Sequence, residues 1–388
     1  MDTVGVICEY NPLHLGHKKQ LDTIRALRGT DCGIVCLMSG NYVQRGTPAI
    51  FDKTLRAKAA VLSGADLVLE LPVTAALSSA EGFAAGGVSL LGGFCDELCF
   101  GAETADAQLL TSTAEALLSD SFPPALRIRL DQGLSFPAAR AAALKDLGLD
   151  GDILSKPNNI LAVEYCKAIR SQGCTMKPLP ILREGSYHDE TPDPENPSAT
   201  AVRQLLLNNH DWKSCIPQAA QSVFEGAQLH TLTAGERAIL ARLRTMTDEE
   251  FEALPYGSEG LWRKLMHAAR KEATLEAIAA ATKSKRYTRT RIDRMILCAF
   301  LGLTAQDLSA QLPYARVLAF NDKGREILKS ARICGLFPNI GEKLDHPYQQ
   351  IENRADALYG LFATDSPEKP EPKSRVFHLS STQKPGSR

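Results

Sequence analysis

Residues 9–17 read EYNPLHLGH, and the two imidazoles, His14 and His17, flank Gly16. The apolar run 4–8 before this segment reads as a strand, and 16–27 after it as a helix. The spacing therefore predicts that both histidines stand where a first strand ends and a first helix begins. A helix N-terminus offers unpaired N–H groups and a partial positive charge, which suits a phosphate. Gly16 lets a phosphate approach the backbone, and Pro12 stiffens the loop. Two imidazoles can donate hydrogen bonds to the charge that develops in phosphoryl or nucleotidyl transfer. The plainer alternatives are surface or capping histidines, or a zinc pair, although no third ligand of the right kind is adjacent. There is no GxxxxGK[ST], no GxGxxG after a strand and no GxSxG, which speaks against P-loop, dinucleotide and serine-hydrolase sites.

The elements that must position the histidines follow from apolar patterning. Residues 4–8, 33–38, 66–71 and 96–100 read as buried strands, with helical patterns at 16–27, 53–63 and 75–91 between them. This alternation predicts an α/β fold with a mostly parallel sheet. A further strand at 179–182 follows a helix around 159–171. In such sheets ligands bind at the carboxyl ends of strands, where the strand order reverses. The stretch 191–197 (TPDPENP) is a surface loop, and Ser198 or Thr200 caps a helix over 201–207. From 212 to 281 the pattern is helical throughout. A helix at 290–301, a strand-like run at 316–320 and further helices complete a small α/β element. Residues 366–388 are rich in Pro, Ser, Lys and Arg and read as a disordered tail. The expected division is 1–207, 208–365 and 366–388.

The chain has 388 residues, 44% hydrophobic and 23% charged, an ordinary balance for a globular enzyme. No apolar run reaches the ~20 residues that cross a bilayer, and residues 4–8 do not resemble a signal peptide, so a cytoplasmic location is expected. None of the 10 cysteines forms a CxxC or a zinc-spaced cluster, and buried reduced thiols are expected. The net charge is −1, but residues 263–294 hold ten basic residues against three acidic ones, a local +7. That asymmetry points to a polyanion. Its densest part carries Lys283, Lys285, Arg286, Arg289, Arg291 and Arg294, cations suited to RNA phosphates, with Tyr287 expected to stack on an unpaired base.

The HxGH loop resembles the nucleotidyltransferases of the HUP class. Further blocks narrow the resemblance: MSGNYVQRG at 38–46, FGAE at 100–103, KPNNIL at 156–161, REGSYHD at 183–189 and SATAVR at 198–203. Together they resemble the bacterial tRNA(Met) cytidine acetate ligase family, in order, from residue 4 to about 330. Leu13 and Leu15 stand where that family carries Phe and Asn, and Glu184 where it has Ile. The resemblance implies a Rossmann-like nucleotidyltransferase domain followed by a mostly helical, tRNA-binding region. It implies that ATP and acetate give acetyl-adenylate and pyrophosphate. The wobble cytidine of elongator methionine tRNA then takes the acetyl group, giving N4-acetylcytidine and AMP.

By the same resemblance His14 and His17 are catalytic. ATP is wrapped by Ile7, Cys8, Glu9, Tyr10, Asn11, Pro12, Leu13, His14, Leu15, Gly16, His17, Lys18, Lys19 and Gln20. Gly101, one of Asn158 and Asn159, Arg183 and Glu184 complete the set. Gly101 also reads as a turn glycine, either asparagine as a helix cap, and Arg183 as an exposed strand end. Ser198, Thr200 and Arg203 resemble a second phosphate motif for pyrophosphate, although simple capping explains Ser198 equally well. Arg45 and Lys53 are candidates to close over the triphosphate, and a solvated surface is the simpler reading of each. Mg2+ is expected with ATP, without protein ligands, and no protein partner is implied. An adenylyltransferase acting on a small molecule, and a non-catalytic nucleotide-binding module, are the alternatives.

Overall fold

The computed structural model describes residues 1–183, 197–284, 286–331, 337–366 and 375–380. The first part of the chain runs β1 (Thr3–Cys8), α1 (Leu15–Arg28), β2 (Gly33–Ser39), a hairpin of β3 (Tyr42–Val43) and β4 (Thr47–Pro48), α2 (Lys53–Leu62) and β5 (Leu67–Leu71). It continues through α3 (Val73–Ala76), α4 (Ala80–Leu91), β6 (Glu97–Ala102), α5 (Ala107–Leu118), α6 (Phe122–Asp131), α7 (Phe136–Asp146), α8 (Pro157–Ser171), β7 (Lys177–Leu182) and α9 (Ala199–Leu207). Then follow α10 (Gln218–Phe224), α11 (Glu236–Thr245), α12 (Asp248–Glu252), α13 (Leu261–Lys271), α14 (Leu275–Thr282), α15 (Arg289–Leu301) and α16 (Ala305–Ser309). Strand β8 (Arg316–Asn321), α17 (Asp322–Ala331), α18 (Pro347–Tyr359) and β9 (Phe377–Leu379) end the described chain.

Seven strands form one sheet in the order β7-β6-β1-β2-β5-β8-β9. β1 pairs in parallel with β2 on one side and β6 on the other. The chain therefore reverses its direction of travel across the sheet at β1, which opens a crevice at the carboxyl ends of β1 and β6. Helices cover both faces. Every residue of β2 and β5 is buried, as largely apolar strands covered on both faces require, with Glu70 of β5 the charged exception.

Four expectations are corrected. The run at 316–320 does not belong to a separate element: β8 joins the main sheet, antiparallel to β5, with Val68 opposite Ala319. The tail is not wholly disordered, because β9 pairs in parallel with β8 and Phe377 and Leu379 pack on the core beside it. A short apolar run supplies that contact, and the surrounding Pro, Ser, Lys and Arg hide it from a compositional reading. Residues 75–91 are not one helix: the chain breaks at 77–79, where the Ser79 hydroxyl accepts from Gly82 N and starts α4. The region 212–281 is also less continuous than expected, since a bridge from His230 to Ala363 interrupts it. The nine described cysteines are free, seven of them buried.

The two halves of the chain are joined by a buried ion cluster. Lys53 at the start of α2 donates to Glu70 of β5 at 2.8 Å and to Asp356 of α18 at 2.5 Å. Arg316 of β8 donates to Glu70 at 2.8 Å, Glu352 at 3.0 Å and Asp356 at 3.1 Å. Glu352 also accepts from Val73 N. A buried pair adds little over an apolar substitute, but removing one partner strands the other charges. Arg316→Met is therefore expected to destabilise the fold by about 3–5 kcal/mol. The urea unfolding midpoint measures this, and an unchanged midpoint would show that the cluster does not hold the halves together.

Candidate active site

The site forms where β1 ends. Tyr10 adopts φ 43°, in the left-handed region that is unusual for a side chain of its size. Its ring is buried, its hydroxyl lies 3.4 Å from Cys36 Sγ, and its edge meets His17. Leu13 is fully buried in the same core. Asn11 Oδ1 accepts from Ile50 N at 2.8 Å. The side chains of Tyr10, Asn11, Pro12 and Leu13 thus face inward and shape the loop, leaving its backbone to line the crevice.

His14 is the N-cap of α1. Its Nδ1 accepts from Gly16 N at 3.1 Å, while His17 Nδ1 accepts from His14 N at 3.3 Å. The pair forms a capping box made of imidazoles, with ring centroids 3.8 Å apart. Burial first, then the charges of Arg183 and Arg203, push His14 down to about 3. Burial, followed by His14 and Arg183, holds His17 well below its ordinary value. Both rings are therefore neutral near pH 7. With each Nδ1 an acceptor, the hydrogen-bond pattern assigns the proton to Nε2, leaving Nε2–H on each ring as a donor.

Around them stand groups from four other elements. Glu103, after β6, accepts from Asn158 N, Asn158 Nδ2 and Asn159 N, and so caps α8 with a carboxylate. Sequence reasoning quoted Glu103 without giving it a role. Asn159 is 1% exposed and spends its side chain on Thr104. Asn158 instead accepts from Arg183 Nη1 at 3.0 Å, which leaves Asn158 rather than Asn159 beside the crevice. Gly101 lies in β6 opposite Ile181, with Arg183 Cβ close to where a side chain would begin. Ser198 caps α9, accepting from Ala201 N at 3.0 Å. Arg203 donates to the Asn11 carbonyl at 2.7 Å and to Thr200 Oγ1 at 3.1 Å, tying α9 to the loop. Lys18 pairs with Asp22, Lys19 is exposed, and Gln20 reaches Cys99. Ile7 and Cys8 remain in β1. Glu184 lies outside the described residues.

Two expectations fail here. Lys53 is buried and ion-paired, so it does not close over a triphosphate. Tyr287 is buried in the helical core and donates to the Glu259 carbonyl at 3.0 Å, so it cannot stack on a base. Much of the basic run also serves the fold. Arg289 holds Glu276 through two bonds and Asp293 through one. Arg291 donates to the Tyr256 carbonyl, and Arg294 lies over the Tyr256 ring and donates to the Gln44 carbonyl at 3.3 Å. The exposed cations among the described residues of this run are Arg263, Lys264, Arg270, Lys271, Lys283 and Arg286. Lys285 lies outside the described residues.

A neutral histidine pair at a helix N-terminus, on a parallel-sheet switch point, is the site of a nucleotidyl-transfer fold. A sequence model of the family "HIGH Nucleotidyl Transferase" matches residues 1–373. A protein of Acetivibrio thermocellus named tRNA(Met) cytidine acetate ligase is 35% identical over 365 residues, covering 88% of each chain. The protein of that name from Clostridium acetobutylicum is 36% identical, covering 93% of this chain and 96% of its own. The crystal structure of Thermotoga maritima TmcAL in an apo form superposes with a TM-score of 0.88 at 29% identity, covering 98% of this chain and 100% of that one. The same protein bound with alpha-thio ATP gives a TM-score of 0.85. The chain belongs to the tRNA(Met) cytidine acetate ligase family.

The histidine environment predicts an acid-side loss of stability. An unfolded histidine takes a proton near 6.5, whereas folded His14 resists until about 3. Stability is therefore complete above pH ~6.5 and falls below it, by up to ~1.4 kcal/mol per pH unit for this group. His14→Asn keeps a capping acceptor and removes the titration. Its unfolding free energy is expected to fall less steeply between pH 6.5 and 4, and an unchanged slope would refute the neutral, buried ring.

Proposed function

We infer that this chain is an ATP-dependent ligase that converts acetate to acetyl-adenylate with release of pyrophosphate. It then transfers the acetyl group to N4 of the wobble cytidine of elongator methionine tRNA, yielding N4-acetylcytidine and AMP. The observation that carries the reading is the imidazole capping box at the switch point, within a chain alike over nearly its whole length to a relative that binds an ATP analogue.

His14 and His17 meet the phosphates with their Nε2–H donors. Being neutral, they stabilise charge as it builds on the α-phosphate and its leaving group without giving up a proton. The Gly16 amide and the start of α1 add backbone N–H groups and the helix dipole. Arg203 and Thr200 hold the departing pyrophosphate, with Ser198 fixing the start of α9. Asn158, Arg183 and the Gly101 backbone lie on the β6 side, where adenosine fits. Among the described residues no cluster of His, Cys, Asp or Glu fits a metal ion. Magnesium would accompany the ATP substrate as the counter-ion of its phosphates and supply charge neutralisation there. No helix among the described residues is long and apolar enough to cross a membrane, and a tRNA substrate places the reaction in the cytoplasm.

The exposed cations Arg263, Lys264, Lys283 and Arg286 form the tRNA phosphate surface. Arg286 pairs with Glu259 at 2.7 Å between two exposed side chains, a contact weak enough to exchange for a phosphate. Arg289, Arg291 and Arg294 act first by holding this surface in place.

Incubation of the enzyme with ATP, labelled acetate and methionine tRNA is expected to give labelled N4-acetylcytidine on nuclease digestion and mass spectrometry. Label in a small adenylylated product instead would favour the small-molecule adenylyltransferase. Replacing Lys264, Lys283 and Arg286 together by Ala is expected to lower the slope of log affinity against log salt by about two, at roughly 0.7–0.9 per lost phosphate contact. Filter binding at several salt concentrations measures it, and an unchanged slope would move the RNA surface elsewhere.

A further inference from the structure

We propose that Glu9 is a catalytic residue of the second half-reaction: its carboxylate receives the N4 proton as the cytidine amine attacks acetyl-adenylate. The proposal rests on the reading above and deepens it.

Glu9 directly follows β1 and opens the phosphate loop, so its side chain leaves the carboxyl edge of the sheet. One oxygen accepts from Gln44 N at 2.8 Å, and its backbone carbonyl accepts from Arg56 Nη1 at 2.6 Å. The second oxygen accepts no hydrogen bond among the described residues, and the side chain is only half-buried. The other carboxylates along this edge are engaged. Glu103 caps α8, Asp52 caps α2, and Glu70, Glu352 and Asp356 belong to the ion cluster.

Glu9 also stands between the phosphate loop and the basic helix. Gln44, its backbone donor, lies in the turn of the β3–β4 hairpin and accepts from Arg294 of α15. Gly46 in the same turn takes φ +79° and packs so tightly on Asp293 and Arg294 that a Cβ would collide with their backbone. The hairpin that donates to Glu9 therefore also packs on α15, the helix that follows Lys283 and Arg286, cations assigned above to the RNA. Burial raises the affinity of Glu9 for a proton, against the Gln44 N–H and the guanidinium groups of Arg203, Arg45 and Arg56.

The N4 lone pair forms the bond to the acetyl carbon, and the carbonyl pair moves onto oxygen. Collapse of the adduct breaks the bond to the phosphate oxygen, whose electron pair leaves with AMP. The N4 proton passes to the unengaged oxygen of Glu9 and thence to solvent. An exocyclic amine becomes strongly acidic as it acylates, so a base within hydrogen-bond reach accelerates the step by about 10²–10⁴-fold.

The test separates the half-reactions in the full chain with Glu9→Gln, which keeps an oxygen for Gln44 N. Because Glu9 also stands in the ATP-wrapping loop, the readout is the ratio of the two losses: single-turnover transfer to tRNA is expected to fall at least about 100-fold more than acetate-dependent ATP–pyrophosphate exchange. Enzyme-bound acetyl-adenylate then accumulates, and the acid limb of the transfer pH profile disappears. Glu9→Asp, which retains a carboxylate, is expected to recover that acid limb. Transfer within about threefold of the parent enzyme, or equal losses in both half-reactions, would overturn the assignment. Absence of acetate-dependent exchange in the parent enzyme would instead overturn the functional reading itself.

Discussion

The histidine loop starts at the carboxyl end of β1, and one buried guanidinium ties that end to the end of β2. Arg56 is 0% exposed. It donates to the carbonyls of Glu9, Ser39, Gly40 and Phe51, joining two strand ends to the start of α2. Its acceptors are carbonyls, so the charge is solvated by oriented backbone dipoles rather than by a carboxylate. Burial lowers its pKa, yet four hydrogen bonds keep an arginine ionised. Strand ends in open sheets otherwise carry unpaired carbonyls. Satisfying them with one side chain fixes the origin of the phosphate loop, which can then hold Tyr10 in a left-handed conformation.

From this anchor the site is organised by keeping charge off the imidazoles. Arg183 and Arg203 surround the pair and disfavour protonation, so two positive groups are poised beside two neutral donors. In the proposed reaction the cations counter the net charge of the triphosphate, while the imidazoles aim hydrogen bonds at the atom where charge changes. That division suits nucleotidyl transfer, in which positioning and electrostatics supply most of the rate. The C-terminal half adds support rather than reacting groups. Tyr42 donates to Ala355 O and Tyr359 to Ala49 O, so α18 braces the segment between β2 and α2.

The central strands were legible in the sequence because β1, β2 and β5 are largely buried on both faces and read as mainly apolar runs, whereas β7 is only half-buried. The histidine pair was legible because local spacing alone puts it at a strand–helix junction. What depended on distant partners was not. Nothing in 316–320 says that it pairs with β5 across some 250 residues, and the short run at 377–379 is outweighed by polar neighbours. Charge counting found the basic segment but could not tell Arg289, spent on Glu276 and Asp293, from Arg286 at the surface. Tyr287 looked like a stacking platform only because its burial depends on helices far away in sequence. Asn158 and Asn159 are alike in sequence, and only the place of Glu103 and Thr104 separates them.

If acetate attacks the α-phosphate at the histidine pair, one of its oxygens must end in AMP. Acetate carrying heavy oxygen tests it most directly, with ATP and methionine tRNA in a complete reaction. One heavy oxygen is expected in the phosphate of AMP, with pyrophosphate unlabelled, because the bond from acetyl carbon to oxygen breaks when the amine takes the acetyl group. Heavy oxygen in inorganic phosphate, accompanied by ADP, would place the attack on the γ-phosphate and contradict the account.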